Sequence, residues 1–391
     1  MARLEIAVAG AGIGGLAAAL FLARAGHRVV VVERFGSPRP VGSGLIVQPT
    51  GFSALEALGL GEAVAAHGRP IRRLFGEASG RTVLDVRYRA LGREGLGVHR
   101  SALFGALLDA AQRQDGVTFE TGFEIDRLER GADGRPSLVA KSGRVLGPFD
   151  AAIDAAGSRS PLSAGFSDRR RALAYGALWS DVAWPGAPFD ETALEQRYEA
   201  ARRMVGLLPI GRRFGEDAPL AAFFWSLKPA AYGQWRARGL EAWKDEVATL
   251  WPAAATAIAN IQHPDELILA TYGHHTLARP FGERFAVIGD AAHSTSPQLG
   301  QGANMALLDA EALGRAFAEA RDPTEAAAAY AAARRGHVRL YQAFSRLFTP
   351  VYQSDSRLLP LLRDRLAAPL SRLPVVDRLL ARLVAGEVGR G

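Results

Sequence analysis

The stretch from Gly289 to Asn304 carries the residues whose types and spacing could most readily serve chemistry. It follows a short apolar run that predicts a buried strand, and it leads into residues 305–317, whose apolar positions recur at helical spacing. In an open α/β sheet, a ligand binds where a strand ends and a glycine-bearing loop leads into a helix. Gly300 and Gly302 let the backbone approach a flat ligand, and the free N–H groups of the helix favour developing negative charge.

A second glycine cluster lies near the N-terminus. A strand, a G-x-G-x-x-G turn, a helix and a second strand follow one another up to Glu33. In a dinucleotide fold Gly10 would make the turn, Gly12 would admit the pyrophosphate and Gly15 would allow the helix to pack on the strand, while Glu33 would accept hydrogen bonds from ribose hydroxyls. Because all four parts are in register, the segment predicts dinucleotide binding.

Together the two stretches resemble the FAD-dependent aromatic hydroxylases, the para-hydroxybenzoate hydroxylase-like group of single-component flavoprotein monooxygenases. The resemblance covers residues 6 to about 346, and Gly289-Asp290, Pro297 and Gly300-Gln301-Gly302 are similar to the family's second FAD motif. It implies that Asp290 binds the ribityl chain and that the glycine loop lies against the pyrimidine side of the isoalloxazine. Pro297 would pack beside the ring on its oxygen-reacting side, so the expected catalytic positions are Pro297, Gly300 and Gly302.

Arg100 precedes a helix that Ser101 is expected to cap. The resemblance implies that Arg100 reaches the FAD pyrophosphate, which suits a rigid guanidinium fork; a surface salt bridge is the alternative. The loop after Glu33 is expected to cross near the flavin, although Arg39 fits a plain surface loop equally well. The cofactor-binding residues predicted from the motifs and the resemblance are Gly10, Gly12, Ile13, Gly14, Gly15, Glu33, Arg34, Gly44, Arg100, Gly157, Gly289, Asp290, Pro297, Gly300, Gln301, Gly302, Ala303 and Asn304.

One position departs from the family pattern. The resembled proteins usually carry an Asp-Gly pair where this chain has Ala156-Gly157. That pair is associated with both FAD and nicotinamide handling, so the change questions NAD(P)H recognition more than FAD binding. Asp154 lies two residues earlier and is a candidate replacement.

The histidines invite a metal or general-base interpretation that the pattern does not favour. His274 and His275 are adjacent on a predicted strand, so their side chains face opposite sides of it and cannot chelate one ion together. We therefore expect no metal site, and at most one of the two lining a pocket. His293 fits the family motif and is expected to shape the FAD loop.

Composition sets the broad limits. The chain has 391 residues and no cysteine, which excludes disulfides and thiolate chemistry and is consistent with a reducing compartment. The net charge of +7 comes from arginines scattered along the chain, so we predict no nucleic-acid partner. The glycines interrupt the apolar N-terminal run, and no stretch reaches the length of a membrane span. These features predict a cytoplasmic protein without a transmembrane segment.

The expected fold class is α/β, with a discontinuous Rossmann-like FAD-binding domain, an inserted α+β substrate domain built on an antiparallel sheet, and a C-terminal helical tail. The six tryptophans fall between residues 179 and 251, and such residues are more often core than ligand wall. Phe223, Trp225 and Gln48 are the predicted pocket residues. The predicted ranges are 1–70, 97–170 and 270–340 for the FAD domain, 71–96 and 171–269 for the substrate domain, and 341–391 for the tail.

The C-terminal tail is rich in leucine and arginine and is broken by prolines. Basic amphipathic helices can lie on membranes, but they more often cap a domain or a dimer. We therefore predict a capping role, with a homodimer as a candidate assembly.

The resemblance implies an FAD-dependent monooxygenase. It would use NAD(P)H as a transient reductant and O2 to hydroxylate or epoxidise a small aromatic or polycyclic substrate through a flavin C4a-hydroperoxide. Two alternatives stay open: another flavin oxidoreductase on the same fold, such as a double-bond reductase or a halogenase, and a non-catalytic FAD-binding sensor or scaffold. The chain lacks the Trp-x-Trp-x-Ile-Pro motif of the halogenases, whereas Ala156 favours the non-catalytic alternative.

Overall fold

The computed structural model describes residues 3–40, 42–166, 170–371 and 373–389, and the side chains of residues 165, 367 and 368 lie outside that description. Strands alternate with helices near the N-terminus, whereas β8 to β17 follow one another without an intervening α-helix. The strands, in chain order, are β1 (Glu5–Ala9), β2 (Arg28–Val32), β3 (Gly44–Val47), β4 (Arg69–Ile71), β5 (Arg73–Ala78), β6 (Arg81–Arg87), β7 (Gly95–His99), β8 (Val117–Glu120), β9 (Ile125–Arg130), β10 (Pro136–Ala140), β11 (Val145–Leu146), β12 (Ala151–Asp154), β13 (Arg171–Ala172), β14 (Gly176–Ala183), β15 (Ala193–Glu199), β16 (Arg203–Gly211), β17 (Leu220–Leu227), β18 (Ile268–Ala270), β19 (Gly273–Thr276), β20 (Phe281–Gly282), β21 (Phe285–Val287) and β22 (His293–Ser294).

The helices connect these strands and form the C-terminal end of the described chain. A π-helical turn spans Arg363–Ala367, and short 3₁₀ turns span Gly289–Ala291 and Pro297–Leu299. The α-helices are α1 (Ile13–Arg24), α2 (Pro49–Ala57), α3 (Gly61–Ala65), α4 (Arg100–Arg113), α5 (Tyr232–Arg238), α6 (Leu240–Leu250), α7 (Ala254–Ile258), α8 (Gly302–Glu319), α9 (Pro323–Tyr352), α10 (Leu358–Leu362), α11 (Ala368–Leu370) and α12 (Pro374–Ala385).

A mostly parallel sheet carries both glycine motifs. Its order is β20-β21-β12-β1-β2-β8, and only the pairing of β20 with β21 is antiparallel among these described strands. Helices α1, α4, α8 and α9 contribute to its largest core. Because a parallel sheet is covered on both faces, its central strands are almost continuously apolar. The glycine turn follows the carboxyl end of β1, and the second motif follows β21.

The second large sheet is mostly antiparallel, as expected, but not entirely. Its order is β18-β14-β17-β16-β15-β5-β6, and β15 pairs with β5 in parallel. The β5–β6 hairpin comes from an early part of the chain and joins the edge of this sheet through β5. Helices α5, α6 and α7 cover one face of this sheet through a tryptophan-rich core.

The ranges predicted for the FAD domain contain the parallel sheet. Every strand of the parallel sheet falls within 1–70, 97–170 or 270–340. The bounds of the domains themselves stay a prediction. One local detail differs from expectation: His99, not Ser101, caps α4, because its ring nitrogen accepts the Ser101 amide hydrogen bond.

None of the helices in the described ranges is both long enough and apolar enough to cross a membrane.

Candidate active site

The first glycine turn is shaped by steric requirements at two positions. Gly10 has φ 101°, and a Cβ there would lie 2.8 Å from the Ala155 carbonyl oxygen. A Cβ at Gly15 would lie 1.9 Å from the Gly10 carbonyl oxygen, so only glycine allows α1 to approach β1 this closely. Gly12 is different, because nothing lies within 4 Å of a Cβ there, and it begins α1 without a side-chain cap. The turn thus leaves open space against uncapped N–H groups, which suits a phosphate.

The second motif places a carboxylate beside the start of another helix. Asp290 is exposed, and no described side chain or amide hydrogen-bonds to its carboxylate. Its Oδ1 lies 4.0 Å from where a Cβ on Gly302 would stand. Helix α8 begins at Gly302 without a side-chain cap, so a free acceptor and free amide donors face the same space. Gly300, at φ 60°, makes the turn into α8.

Ala306 is the point where the two motifs meet. A Cβ at Gly14 would lie 3.2 Å from the Ala306 methyl carbon, and a Cβ at Gly289 would lie 3.3 Å from it. The first turn of α8 therefore packs against both glycine segments. Ala306 is therefore a contact shared by two motifs that are 275 residues apart in the chain.

Arg100 supplies a buried positive charge to the same region. Its Nε has no hydrogen-bond partner among the described residues, and it lies 3.1 Å from where a Cβ on Gly42 would stand. Burial lowers the pKa of Arg100, and the charges of Asp290 and Tyr272 partly offset that effect. Arg100 is half-buried, and a buried guanidinium nitrogen without a partner is unfavourable, so the arrangement favours an anionic ligand here.

The residues present fit a dinucleotide with an extended polar chain. The open space at Gly12 and the amide groups of α1 suit a pyrophosphate, the unpartnered Arg100 suits a negative charge, and free Asp290 suits hydroxyl donors. These are the groups that FAD presents along its length.

Comparison with known proteins decides the family. A family model described as an FAD binding domain matches residues 3–344. The chain belongs to the FAD-dependent aromatic hydroxylases. An FAD-dependent urate hydroxylase of Klebsiella pneumoniae is 31% identical over 364 residues, covering 86% of this chain and 87% of that protein. A 3-hydroxybenzoate 6-hydroxylase of Polaromonas naphthalenivorans is 29% identical over 336 residues, covering 81% and 80%.

Solved structures agree with this assignment. A crystal structure of a variant of Klebsiella pneumoniae HpxO complexed with FAD has a TM-score of 0.80 at 25% identity, covering 99% of this chain and 100% of that chain. The predicted family, the α/β fold class and the FAD cofactor are confirmed. The roles of individual site residues stay predictions, and their positions in the hydroxylase are as follows.

Glu33 is already engaged by the backbone. Its Oε2 accepts the Ala11 amide at 2.9 Å and its Oε1 accepts the Phe35 amide at 3.1 Å, so the carboxylate fixes the glycine turn relative to the next loop. Arg34 and Arg39 are exposed and stack on the Phe35 ring, at 4.6 and 4.2 Å from its centroid. Their guanidinium groups therefore sit on a surface aromatic ring and not in the space between the motifs.

Two side chains of the second motif, Gln301 and Asn304, point away from the open space between the two motifs. Gln301 donates through Nε2 to the Val384 carbonyl at 2.6 Å, and Asn304 accepts the Gln48 amide at 2.8 Å and donates to the Gly300 carbonyl at 3.1 Å. Their contribution to the flavin loop is therefore positional, because they fix its backbone. Ile13, Gly44 and Ala303 lie at the start of α1, the start of β3 and in the first turn of α8.

The loop around Ala156 offers no replacement for the aspartate that the resembled family usually carries at this position. Asp154 is fully buried, and its oxygens accept from the Ala156 amide at 3.0 Å and the Ser160 hydroxyl at 2.7 Å. Burial raises the pKa of Asp154 to about 6, against the opposing hydrogen bonds. The idea that Asp154 takes over the lost role is thus wrong, because its carboxylate is used inside its own loop. Gly157, at φ 82°, leaves the outer side of the loop open.

The prediction that Phe223 and Trp225 line the pocket is also wrong. Both are buried in the helix-covered core, where the Trp243 ring lies 5.8 and 6.5 Å from theirs. Side chains alternate along β17, so it is Phe224 that points to the opposite face. At Ala222 this face meets the FAD domain, because a Cβ on Gly44 would lie 3.1 Å from the methyl of Ala222. Phe224 itself is buried in a core that also contains Tyr198 and Met204.

Trp179 and Tyr272 form an aromatic pair next to Phe224 that the sequence did not single out. Trp179 lies 4.8 Å from the Phe224 ring, and its Nε1 donates to the Tyr272 hydroxyl at 2.7 Å. Burial raises the pKa of Tyr272 to about 12, so its phenol stays protonated near neutral pH. The predicted pocket residue Gln48 is buried beside Gly300, with its Nε2 3.4 Å from a Cβ position there.

A charged cluster joins the segment just before β3 to the second large sheet. Asp181 of β14 accepts from the Ser43 hydroxyl, from His99 Nε2 at 2.8 Å and from Arg213 at 3.1 Å. Burial raises the pKa of Asp181, but these donors more than offset it and hold the pKa below its ordinary value. Asp181 therefore fixes residue 43, next to the Gly42 position that Arg100 contacts.

The histidine pair is structural. His274 Nε2 lies 3.0 Å from the Ser345 hydroxyl, while His275 contacts the Ser294 hydroxyl at 2.8 Å and the Ala291 carbonyl at 2.9 Å. Burial lowers the pKa of both rings. Over the described part of the chain, no group of three acidic or histidine residues has a metal-binding arrangement.

Proposed function

We propose that this protein is a monooxygenase that uses NAD(P)H and O2 to hydroxylate or epoxidise a small aromatic or polycyclic substrate. In the overall reaction NAD(P)H supplies two electrons, one oxygen atom enters the substrate, and the other leaves as water. The observation that carries the proposal is the meeting of the two motifs at Ala306, with Asp290, Arg100 and two uncapped helix starts around the open space.

Within this site the protein binds, orients and stabilises charge. Bound FAD supplies the redox chemistry, accepting electrons from the nicotinamide and activating dioxygen. Asp290 would hold the ribityl hydroxyls, and the amide groups of α1 would hold the pyrophosphate, with Arg100 as its counter-charge. The uncapped amides and the dipole at the N-terminus of α8 would stabilise negative charge at the pyrimidine end of the ring. Pro297 would pack against the ring.

The substrate would lie between the flavin loop and the face of the second sheet that carries Trp179 and Phe224. Tyr272 accepts a hydrogen bond from Trp179, so its own hydroxyl hydrogen is available to a substrate oxygen or nitrogen. Such a wall favours a planar aromatic ring that bears a hydrogen-bond acceptor. The named relatives, which act on urate and 3-hydroxybenzoate, suggest planar oxygenated rings as the first compounds to test.

The nicotinamide nucleotide would bind transiently, because the chain carries one G-x-G-x-x-G turn and that turn is assigned to FAD. Ala156 removes a carboxylate that relatives use near this site, so we expect weak nucleotide binding that depends on substrate. We place the enzyme in the cytoplasm, where NAD(P)H is available and where a cysteine-free chain is at no disadvantage.

The proposal is tested by incubating the FAD-loaded enzyme with NADPH or NADH, ¹⁸O2 and a panel of hydroxylated aromatic acids, purines and pyridines. One labelled oxygen atom in a product, with one nicotinamide oxidised per product, supports a hydroxylase. Halide-dependent product or a product without new oxygen would instead indicate a halogenase or a double-bond reductase.

Matched variants then locate the substrate. Trp179→Phe removes the donor to Tyr272 and should raise KM at least about threefold, since one neutral hydrogen bond contributes about 1 kcal/mol. Trp225→Phe, on the helix-covered face, should lower stability without changing KM. Equal KM effects would contradict the assignment of the substrate face.

A further inference from the structure

The C-terminal tail exposes an unusual amount of apolar surface. Thirteen large apolar side chains of the described residues are exposed, and eight of them lie within residues 358–379. This concentration distinguishes them from the isolated surface hydrophobic residues that any protein has. We name these eight the tail surface: Leu358, Leu361, Leu362, Leu366, Leu370, Leu373, Val375 and Leu379, with exposed fractions between 43% and 81%.

The segment that carries the tail surface is anchored to the body of the protein. Arg363, in the π-helical turn, is buried, and its guanidinium lies 4.9 Å from the Tyr198 ring and 5.4 Å from the Tyr352 ring. The π-helical turn, α11 and α12 all contact the edge strand β6, so they form one layer. The exposed leucines are therefore the outer side of a packed layer and not part of a loose end.

The end of α12 is held just as firmly. The Gln301 amide, the Tyr341 hydroxyl and the Thr50 hydroxyl donate to the last carbonyl groups of α12, at 2.6, 2.7 and 2.9 Å. Ala381, Val384 and Ala385 are buried against the core that contains β3. The buried half of α12 thus packs on the body of the protein, in line with the capping prediction, and no described residue covers the exposed apolar residues before it.

Positive charge accompanies the apolar residues. Arg357, Arg365 and Arg378 are exposed, and none of them forms an ion pair within the described ranges. By sequence, residues 357–382 contain six arginines against two aspartates. Leucines mixed with unpaired arginines are typical of surfaces that enter the boundary between lipid headgroups and acyl chains.

We propose that the tail surface binds the surface of an anionic lipid bilayer. Charge decides between this occupant and a second copy of the chain: the copy would bring the same excess of arginines and a net charge of +7, whereas acidic headgroups complement it. No helix of the described residues is long and apolar enough to span a bilayer, so binding is interfacial. The enzyme would then sit on a membrane with its tail surface at the boundary between headgroups and acyl chains.

The test is co-sedimentation of the full-length, FAD-loaded protein with vesicles. Vesicles of phosphatidylglycerol and phosphatidylcholine should bind it, pure phosphatidylcholine should bind it much less, and salt should weaken the binding. Combined Leu366→Ser, Leu370→Ser and Val375→Ser should lower the partition coefficient at least about tenfold. Combined Arg357→Gln, Arg365→Gln and Arg378→Gln should lower it at least about 30-fold on anionic vesicles.

Ile268→Ser is the matched control, because Ile268 is 66% exposed but lies on β18, outside the tail surface. It should bind vesicles like the parent protein. Sedimentation velocity without lipid gives the rival outcome. If the parent is a dimer that the leucine variant dissociates, and it does not bind anionic vesicles, the tail surface belongs to a second copy and the proposal is overturned. A monomeric parent protein that does not bind anionic vesicles also overturns the proposal.

Discussion

Asp309 and His293 form a fully buried ion pair directly beneath the second flavin motif, with 2.6 Å between His293 Nε2 and Asp309 Oδ2. The same Oδ2 accepts the Gly289 amide at 2.8 Å, and Oδ1 accepts Arg334 Nε at 2.7 Å. One carboxylate on α8 therefore holds the residue before Asp290, the following loop and helix α9. This network gives the flavin loop a fixed backbone before any cofactor binds.

Asp309→Asn should destabilise the protein and reduce its flavin content. The change leaves the buried charges of Arg334 and His293 without a counter-ion, and breaking a buried pair in this way costs about 3–5 kcal/mol. Thermal unfolding and the ratio of flavin to protein absorbance measure both effects. Glu319→Gln, an exposed change on the same helix, is the control and should leave both values unchanged. An Asp309→Asn protein with full flavin and an unchanged melting temperature would show that the network is dispensable.

The pair also predicts a pH dependence of stability. Burial lowers the pKa of His293, but Asp309 outweighs it and raises the pKa above its ordinary value. His293 therefore contributes stability below about pH 6.5, its ordinary pKa, and this contribution is lost as pH rises through the folded-state value. His27, His274 and His275 have lowered pKa values and give stability the opposite pH dependence. The contribution of His293 is therefore isolated by comparing the parent protein with His293→Gln.

The measurement is the free energy of unfolding of the parent and of His293→Gln between pH 6 and 9. The stability difference between them should shrink as pH rises. Parallel curves over the whole range would mean that His293 does not titrate in the folded protein.

Gly12 and Gly15, both in the first glycine turn, should respond differently to substitution by alanine. Gly15→Ala places a Cβ 1.9 Å from the Gly10 carbonyl oxygen, so the variant should fail to fold stably or to retain flavin. Gly12→Ala meets no protein atom within 4 Å, so it should fold with a loss of no more than about 1 kcal/mol while its FAD affinity falls at least tenfold. Flavin titration of the apoprotein and thermal unfolding separate the two. Gly36→Ala, also without close neighbours, is the control, and normal FAD affinity in Gly12→Ala would place the pyrophosphate elsewhere.

Arg100→Met should separate cofactor affinity from stability. Hydrogen bonds to a charged group contribute about 1.5–3 kcal/mol, so losing the guanidinium should weaken FAD binding roughly 10- to 150-fold. The apoprotein should be no less stable, because the buried Nε has no partner there. Arg113→Met removes an arginine that is 73% exposed at the other end of α4 and should change neither value. Weakened apoprotein with unchanged FAD affinity would assign Arg100 a purely structural role.

Both motifs could be predicted from the sequence because steric requirements of the backbone select their glycines. The turn at Gly10 and Gly15 depends on contacts with adjacent segments, and the family resemblance supplied Asp290. The sequence could not reveal Ala306 as the contact shared by both motifs, since that contact depends on how α8 packs against two distant segments. Asp309 did leave a signal that could have been used: it is an acidic residue on the buried face of an otherwise apolar helix, where an unpaired charge is not tolerated.

The proposed substrate wall could not be predicted from the sequence for a different reason. The strand that carries Phe223 and Trp225 is apolar on both faces, because helices cover one face and the FAD domain lies against the other. Its polar and apolar residues therefore do not alternate, and the sequence does not show whether the odd-numbered or the even-numbered residues of this strand face the flavin. A shift of one residue exchanges Phe223 for Phe224. The partner of Trp179, Tyr272, lies on a later segment and is brought there only by the folded sheet.

The most direct test of the hydroxylase assignment is anaerobic reduction of the FAD-loaded enzyme by NADPH and by NADH, followed by flavin absorbance in the presence of each compound of the aromatic panel. We predict bleaching of the flavin that at least one planar, oxygenated ring accelerates tenfold or more. Flavin that stays oxidised with both nucleotides and every compound, yet is reduced normally by dithionite, would contradict a monooxygenase that takes its electrons from NAD(P)H.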